Sequence, residues 1–253
     1  KMIISAAALE EGIVTPESRF YDPGYAMVGK TKIKCWRWYN PHGSQSFAEI
    51  IQNSCNPGFV EVGLRMEEKE KGTMYRYLKA FGFGQKTGIE LPGEASGIMI
   101  AEDKLSKVNI ATISIGQSIA VTPIQLVTAV SAVANGGTLL KPQIVREVRS
   151  ADGNVLEEFQ VREVRRVISE QTSQTTCELL EKVVSKGTAK QAFIPGYRVA
   201  GKTGTAQKAG NGGYMDGKYV ASFCGFAPAN DPQVVALVIL DEPSGALYQG
   251  GQV

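Results

Sequence analysis

Histidine, cysteine and long apolar runs are all scarce in this sequence, and each scarcity excludes something. Its 253 residues include 1 His and 4 Cys. A Ser-His-Asp triad would have to use His42, whose Pro-His-Gly setting reads instead as a solvated loop. Four scattered cysteines without a C-x-x-C pair make neither a disulfide scaffold nor a structural zinc site, so no metal and no cofactor is expected. The longest unbroken apolar run, 234–240, falls far short of the roughly 18 residues that cross a bilayer. Neither sign of charge prevails: 27 Lys and Arg face 25 Asp and Glu, which leaves no field to recruit nucleic acid or an acidic membrane. Lys1 stands directly before an apolar helical run, with no Met start and no basic n-region, so the beginning reads as a cut inside a domain.

What is present is a globular balance, 43% hydrophobic against 21% charged. Residues 2–9 are apolar on nearly every side, and Gly12 follows, able to take the left-handed conformation that ends helices. This predicts a helix buried all round. Over 14–41, Gly, Pro and aromatics predict loops and small hairpins. Ser46 and Glu49 form a capping box for a helix ending near Asn53 or Ser54, and Pro57 starts the next, which runs through Met66. Further helices are predicted over 74–81, over 123–135 behind Thr122, and over 172–186. Strands over 142–150 and 155–167 flank the turn Asp152-Gly153.

Three extended runs follow, VAGKTGTAQK, YVASFCGFAPA and QVVALVILDEP, which predict an antiparallel meander. The third is apolar at seven consecutive positions, so it is expected at the sheet's centre, with helices over both faces. The composite is an α+β fold in which a helical and loop subdomain, about 13–190, precedes a sheet region, about 196–243.

Candidate chemistry rests on three features. Lys1 heads the buried helix, Ser54-Cys55-Asn56 lies between two helices, and a Lys-Thr-Gly opens a strand. The last occurs twice, at Lys86-Thr87-Gly88 and at Lys202-Thr203-Gly204, so one copy is incidental. Lys202 starts an extended run, where alternate side chains of a sheet edge can face a groove, whereas Lys86 sits in a glycine-rich loop. The second copy is therefore the candidate. Ser54 to Asn56 reads equally as a helix C-cap followed by an N-cap. Gly116-Gln117-Ser118 opens like the nucleophile elbow G-x-S-x-G, but Ala120 fills the fifth position.

Ser-Asp-Asn and Lys-Thr-Gly are two of the three motifs of penicillin-binding proteins and class A β-lactamases. SCN and KTGT stand in their places here. Along the chain, GFGQKTGIELPGE, ISIGQSIAVTPIQL, VVSKGTA, VAGKTGTAQ and SFCGFAPANDPQ resemble, in order, class B penicillin-binding transpeptidases, the sporulation and septal members most of all. The resemblance implies the penicillin-recognising serine transpeptidase fold, an antiparallel sheet with helices on both faces. The first motif, Ser-x-x-Lys, occurs nowhere in the 253 residues. KMIISAAALEEG resembles the family's segment beginning at that motif's lysine, and YQGGQV the segment before its last helix. Residues 1–253 are thus expected to be a single partial domain, without its first strands and last helix.

In such an enzyme a serine three positions before Lys1 would attack the D-alanyl carbonyl of a stem peptide, releasing D-alanine. An amine of a neighbouring stem would then take the acyl group. The resemblance makes Lys1 the base, one helical turn after the serine, with a pKa depressed from about 10.4 by burial and by Lys202. Ser54 would bridge the lysines and relay a proton to the leaving amine, and Asn56 would hold the substrate's peptide bond. Lys202, Thr203 and Thr205 would bind the terminal carboxylate or the acid of a β-lactam, Gly204 would let the backbone approach, and the Thr205 amide would donate to the oxyanion. Cys55 replaces the motif's acid and reads as a small half-buried residue. Cys35 and Cys55 are a candidate redox pair, whose disulfide would tie a loop to the active-site turn.

Expected partners are peptidoglycan stem peptides, β-lactam antibiotics and cell-wall proteins such as a glycosyltransferase. The expected place is the extracytoplasmic face of the bacterial membrane, with an anchor outside this chain. A serine β-lactamase would share the motifs, and a sensor or scaffold could keep the fold without turnover; the residue three before Lys1 separates these readings. Without the serine the chain alone would be inactive, and a sheet of about three strands with a bare edge predicts instability or aggregation.

Overall fold

The computed structural model describes residues 1–210, 213–244 and 247–253. Helix α1 (Met2–Glu10) forms as predicted. Its residues from Met2 to Ala8 are all buried, because it packs against four other helices and offers none of them a polar side. Gly12, at φ +62°, turns the chain away.

Strands β1 (Arg19–Asp22), β2 (Tyr25–Val28), β3 (Thr31–Lys34) and β4 (Gly43–Ser46) come next. β2 and β3 make a hairpin, while β1 pairs with β4, so that Asp22 stands opposite Gly43. Both hydrogen bonds of the capping box at Ser46 form, and they start α2 (Phe47–Gln52). A short turn leads into α3 (Asn56–Lys69), with Pro57 in its first turn, where a missing N–H costs nothing. α4 (Thr73–Ala80) follows.

α5 (Lys107–Ser114) is not legible in the sequence. Its capping box pairs Ser106 with Asn109 in place of the usual Glu or Gln, and its 8 residues are too short a run for an apolar period to stand out. α6 (Pro123–Ala134) begins at a Thr122–Gln125 box. The buried Gln125 also donates from Nε2 to the carbonyls of Gln85 and Ser96, at 2.7 and 2.8 Å, and so clasps the glycine-rich loop to this helix.

The segments 142–150 and 155–167 are not two long strands. β6 (Glu147–Arg149) pairs with β7 (Val155–Glu158), but β8 (Glu163–Arg166) pairs with β5 (Thr138–Leu140). The change of partner between 158 and 163 breaks the second run, a long-range event that alternation cannot signal.

α7 (Glu170–Ser185) carries the predicted apolar stripe and packs on the main sheet, made of β9 (Ala200–Gly210), β10 (Gly213–Ala227) and β11 (Val234–Asp241). Its order is β11-β10-β9, all antiparallel. Among the described residues the apolar third run, expected at the centre, borders β10 alone. α6 packs on it, yet Val234 and Val238 remain 64% and 58% exposed, and no further strand joins it among the described residues. The larger of two hydrophobic clusters extends from Met2 through the helices to Phe226 and Ala229.

Candidate active site

Three segments converge at the start of α1. Lys1 Nζ donates to the Ser54 carbonyl at 2.7 Å, to Ser54 Oγ at 3.1 Å and to Asn56 Oδ1 at 2.7 Å, and stands 5.2 Å from the centre of the Phe59 ring. The turn between α2 and α3 makes this possible. Ser54 adopts φ +55°, a left-handed backbone that costs a non-glycine residue about 1 to 2 kcal/mol. Asn56 donates from Nδ2 to the Lys34 carbonyl at 2.9 Å, which leaves its oxygen facing Lys1.

Lys202 arrives from β9. It is only 6% exposed, and its ammonium lies 3.5 Å from Thr188 Oγ1. Burial pulls Lys202 well below its ordinary 10.5, and the charge on Lys1 pulls it further. Lys1 falls to about 8, chiefly through burial, with Cys55 and Cys35 opposing the shift. Burial is thus the leading cause at both lysines. A lysine near 8 is an amine for part of the time at neutral pH, so it can accept a proton.

Thr203, Gly204 and Thr205 pair across β10 with Phe223, Ser222 and Ala221. A side chain at 204 would collide with Ser222 Oγ at 2.5 Å. Thr205 Oγ1 accepts from the Gly250 amide at 2.9 Å, and a Cβ on Gly250 would come within 2.3 Å of the Gly204 carbonyl. The backbone at Gly250 therefore lies directly against the KTGT strand. Thr188 and Gly250 escaped the sequence reading as site residues. Both stand in stretches noted for resemblance, VVSKGTA and YQGGQV, but no local pattern tells that they meet β9.

The other Lys-Thr-Gly is a structural loop. Thr87 donates from its backbone N–H and its hydroxyl to Glu94 Oε1 at 2.6 and 2.5 Å, and the Gly88 amide donates to Oε2 at 3.0 Å. Ser118 of the elbow-like stretch shares a 2.9 Å hydrogen bond with Thr112.

Two expectations need correction. The His42 side chain is 4% exposed, not solvated, because its Nδ1 lies 2.7 Å from Oδ2 of the buried Asp22. Cys55 is wholly buried, not half-buried, and donates from Sγ to the same oxygen at 3.3 Å. Cys35 and Cys55 are free thiols, their sulfurs within 4.8 Å of each other.

With a lysine, a Ser-x-Asn turn and a strand-borne Lys-Thr-Gly gathered at one locus, comparison with known families is decisive. The model of the penicillin binding protein transpeptidase domain matches residues 1–253. The chain belongs to that family. This transpeptidase domain is 47% identical to Stage V sporulation protein D of Bacillus subtilis (strain 168), an alignment that covers 100% of the chain and 39% of the relative. It is 33% identical to penicillin-binding protein PbpB of Mycobacterium tuberculosis, over 96% of the chain and 36% of that protein. The chain thus spans about two fifths of the length of these curated relatives.

Among solved structures, penicillin binding protein 3 of M. tuberculosis complexed with aztreonam superposes with a TM-score of 0.86 at 32% identity, covering 96% of this chain and 55% of that one. The apo transpeptidase domain of Burkholderia pseudomallei penicillin-binding protein 3 gives 0.86 at 31% identity, covering 100% and 72%. The fold is accordingly the α+β penicillin-recognising transpeptidase fold.

Proposed function

We infer that this chain is a single partial domain of a peptidoglycan D,D-transpeptidase, whose nucleophile is a serine three positions before Lys1 in the parent protein. The observation that carries this reading is the set of three hydrogen bonds from Lys1 to Ser54 and Asn56, with Lys202 close enough to feel its charge. Neutral Lys1 takes the serine proton as the serine oxygen bonds to the D-alanyl carbonyl carbon. Protonated Lys1, through Ser54, returns that proton to the nitrogen of the departing D-alanine as the C–N bond breaks. Lys202, Thr203 and Thr205 hold the substrate's carboxylate, Gly204 keeps the strand flat beneath it, and the Asn56 amide orients the stem. The acyl group then passes to an amine of a second stem.

No Ser-x-x-Lys stands within the 253 residues, and on this reading they have no turnover by themselves. The parent acts at the extracytoplasmic face of the membrane, held there by its own anchor, beside a glycosyltransferase that supplies glycan strands.

Labelling of the full-length protein with a fluorescent penicillin tests the assignment. A stable acyl-enzyme on the upstream serine is the expected result. Fast release of hydrolysed penicillin would make the protein a β-lactamase, and absence of any adduct would make it a binding scaffold.

A further inference from the structure

Next to the lysines lies a second cluster that acyl transfer does not use. Asp22 ends β1, Cys35 follows β3, His42 precedes β4 and Cys55 caps α3. One ligand-type atom from each of the four lies within 4.8 Å of the others. All four side chains are buried: Asp22 and Cys35 are 1% exposed, Cys55 0%, and the His42 side chain 4%.

Two of the separations match those around a tetrahedral ion. Zinc bonds of about 2.3 Å to sulfur and about 2.0 Å to nitrogen or oxygen give tetrahedron edges of about 3.3 to 3.8 Å. Cys35 Sγ is 3.6 Å from His42 Nδ1, and Cys55 Sγ is 3.3 Å from Asp22 Oδ2. The His42 to Asp22 edge is shorter, 2.7 Å, as a direct hydrogen bond between the two requires. Two thiols, an imidazole and a carboxylate form a donor set that suits zinc better than magnesium or calcium. Asp22 pairs with no lysine or arginine among the described residues; His42 is its one ionisable basic neighbour.

An independent sign comes from Gln45, which is 3% exposed. Its Oε1 accepts from Asn53 Nδ2 at 2.8 Å, which fixes the orientation of the amide. Its Nε2 then has no acceptor and is the single buried side-chain nitrogen or oxygen left unpaired among the described residues. Cys55 is a near neighbour of that amide, with no hydrogen bond formed between them. A neutral thiol accepts weakly, but a metal-bound thiolate is the kind of sulfur that such outer donors support.

We propose that Asp22, Cys35, His42 and Cys55 bind one zinc ion, which pins the Ser54-Cys55-Asn56 turn to the β1–β4 segment. Binding releases the two thiol protons to solvent and forms two Zn–S bonds, with no change of oxidation state. The residues on either side of Cys55 are the ones that hold Lys1, so the ion is a positioning element for the base. While it is bound, Cys35 and Cys55 cannot join as a disulfide.

The test uses the full-length protein, purified without chelators and analysed for metal content, then stripped and titrated with Co²⁺. About one zinc per chain is expected, together with a cobalt spectrum showing the intense visible bands of a tetrahedral ion and thiolate-to-metal charge transfer. Cys35→Ser and His42→Ala lower bound zinc by more than about tenfold, whereas Cys177→Ala leaves it unchanged. The cobalt titration needs no variant, so misfolding cannot mimic a failure. Protein isolated metal-free with Cys35 bonded to Cys55, or cobalt bound without thiolate charge transfer, would overturn the proposal. None of these readouts involves penicillin, so the metal site can fail while the transpeptidase stands, and the reverse.

Discussion

Lys86-Thr87-Gly88 and Lys202-Thr203-Gly204 are the same three residues in two settings. The first is an exposed loop whose amides and hydroxyl are taken up by Glu94. The second lies on a sheet strand, its lysine nearly excluded from water and facing another lysine. What separates them is desolvation: a charge that water can screen is worth little to a substrate, and one held out of water is worth much more. A tripeptide thus acquires chemistry from burial and neighbours.

The contrast can be broken most directly by mutation. Lys202→Ala should slow β-lactam acylation of the full-length protein by roughly a thousandfold, as removal of a central electrostatic contact does. Lys86→Ala should change it by less than about twofold. Comparable losses from both, measured as second-order acylation rates, would end the distinction. Asn56→Ala should cost about a hundredfold, because it removes a partner of Lys1 as well as a substrate contact.

The pH profile sharpens the same comparison. Lys1 is lowered from 10.5 to about 8, so its neutral fraction, and with it the acylation rate, should rise with pH and level off above about pH 8. Lys86→Ala should leave that profile in place. A rate still climbing at pH 10 would show an unperturbed base. With the proposed zinc in place, a chelator should slow acylation by about tenfold, through loosening of the turn that holds Lys1. The smallest effect belongs to the loop: Glu94→Gln should cost about 1 to 2 kcal/mol in chemical denaturation and leave acylation intact.

Much of this architecture is legible locally. The buried helix α1, the Ser46–Glu49 box and the three-strand meander each announce themselves within a dozen residues, because caps and periodicity are short-range signals. Ser54, Asn56 and Lys202 were legible through motif and context. The pairing of Asp22 with His42 was not, since it depends on β1 meeting β4 across the hairpin between them. Thr188 and Gly250 share that difficulty, for their roles exist only where distant segments touch β9.

The left-handed backbone at Ser54 has a consequence for how such a protein could evolve. Ser54→Gly would relieve the steric cost of that conformation, about 1 to 2 kcal/mol, against roughly 1 kcal/mol of added chain entropy. Thermodynamics alone would therefore tolerate glycine there, or even favour it, while the hydroxyl beside Lys1 would be lost. Selection for a sturdier fold and selection for turnover pull this one position in opposite directions, so a drift toward glycine would be an early mark of a lineage that had given up catalysis.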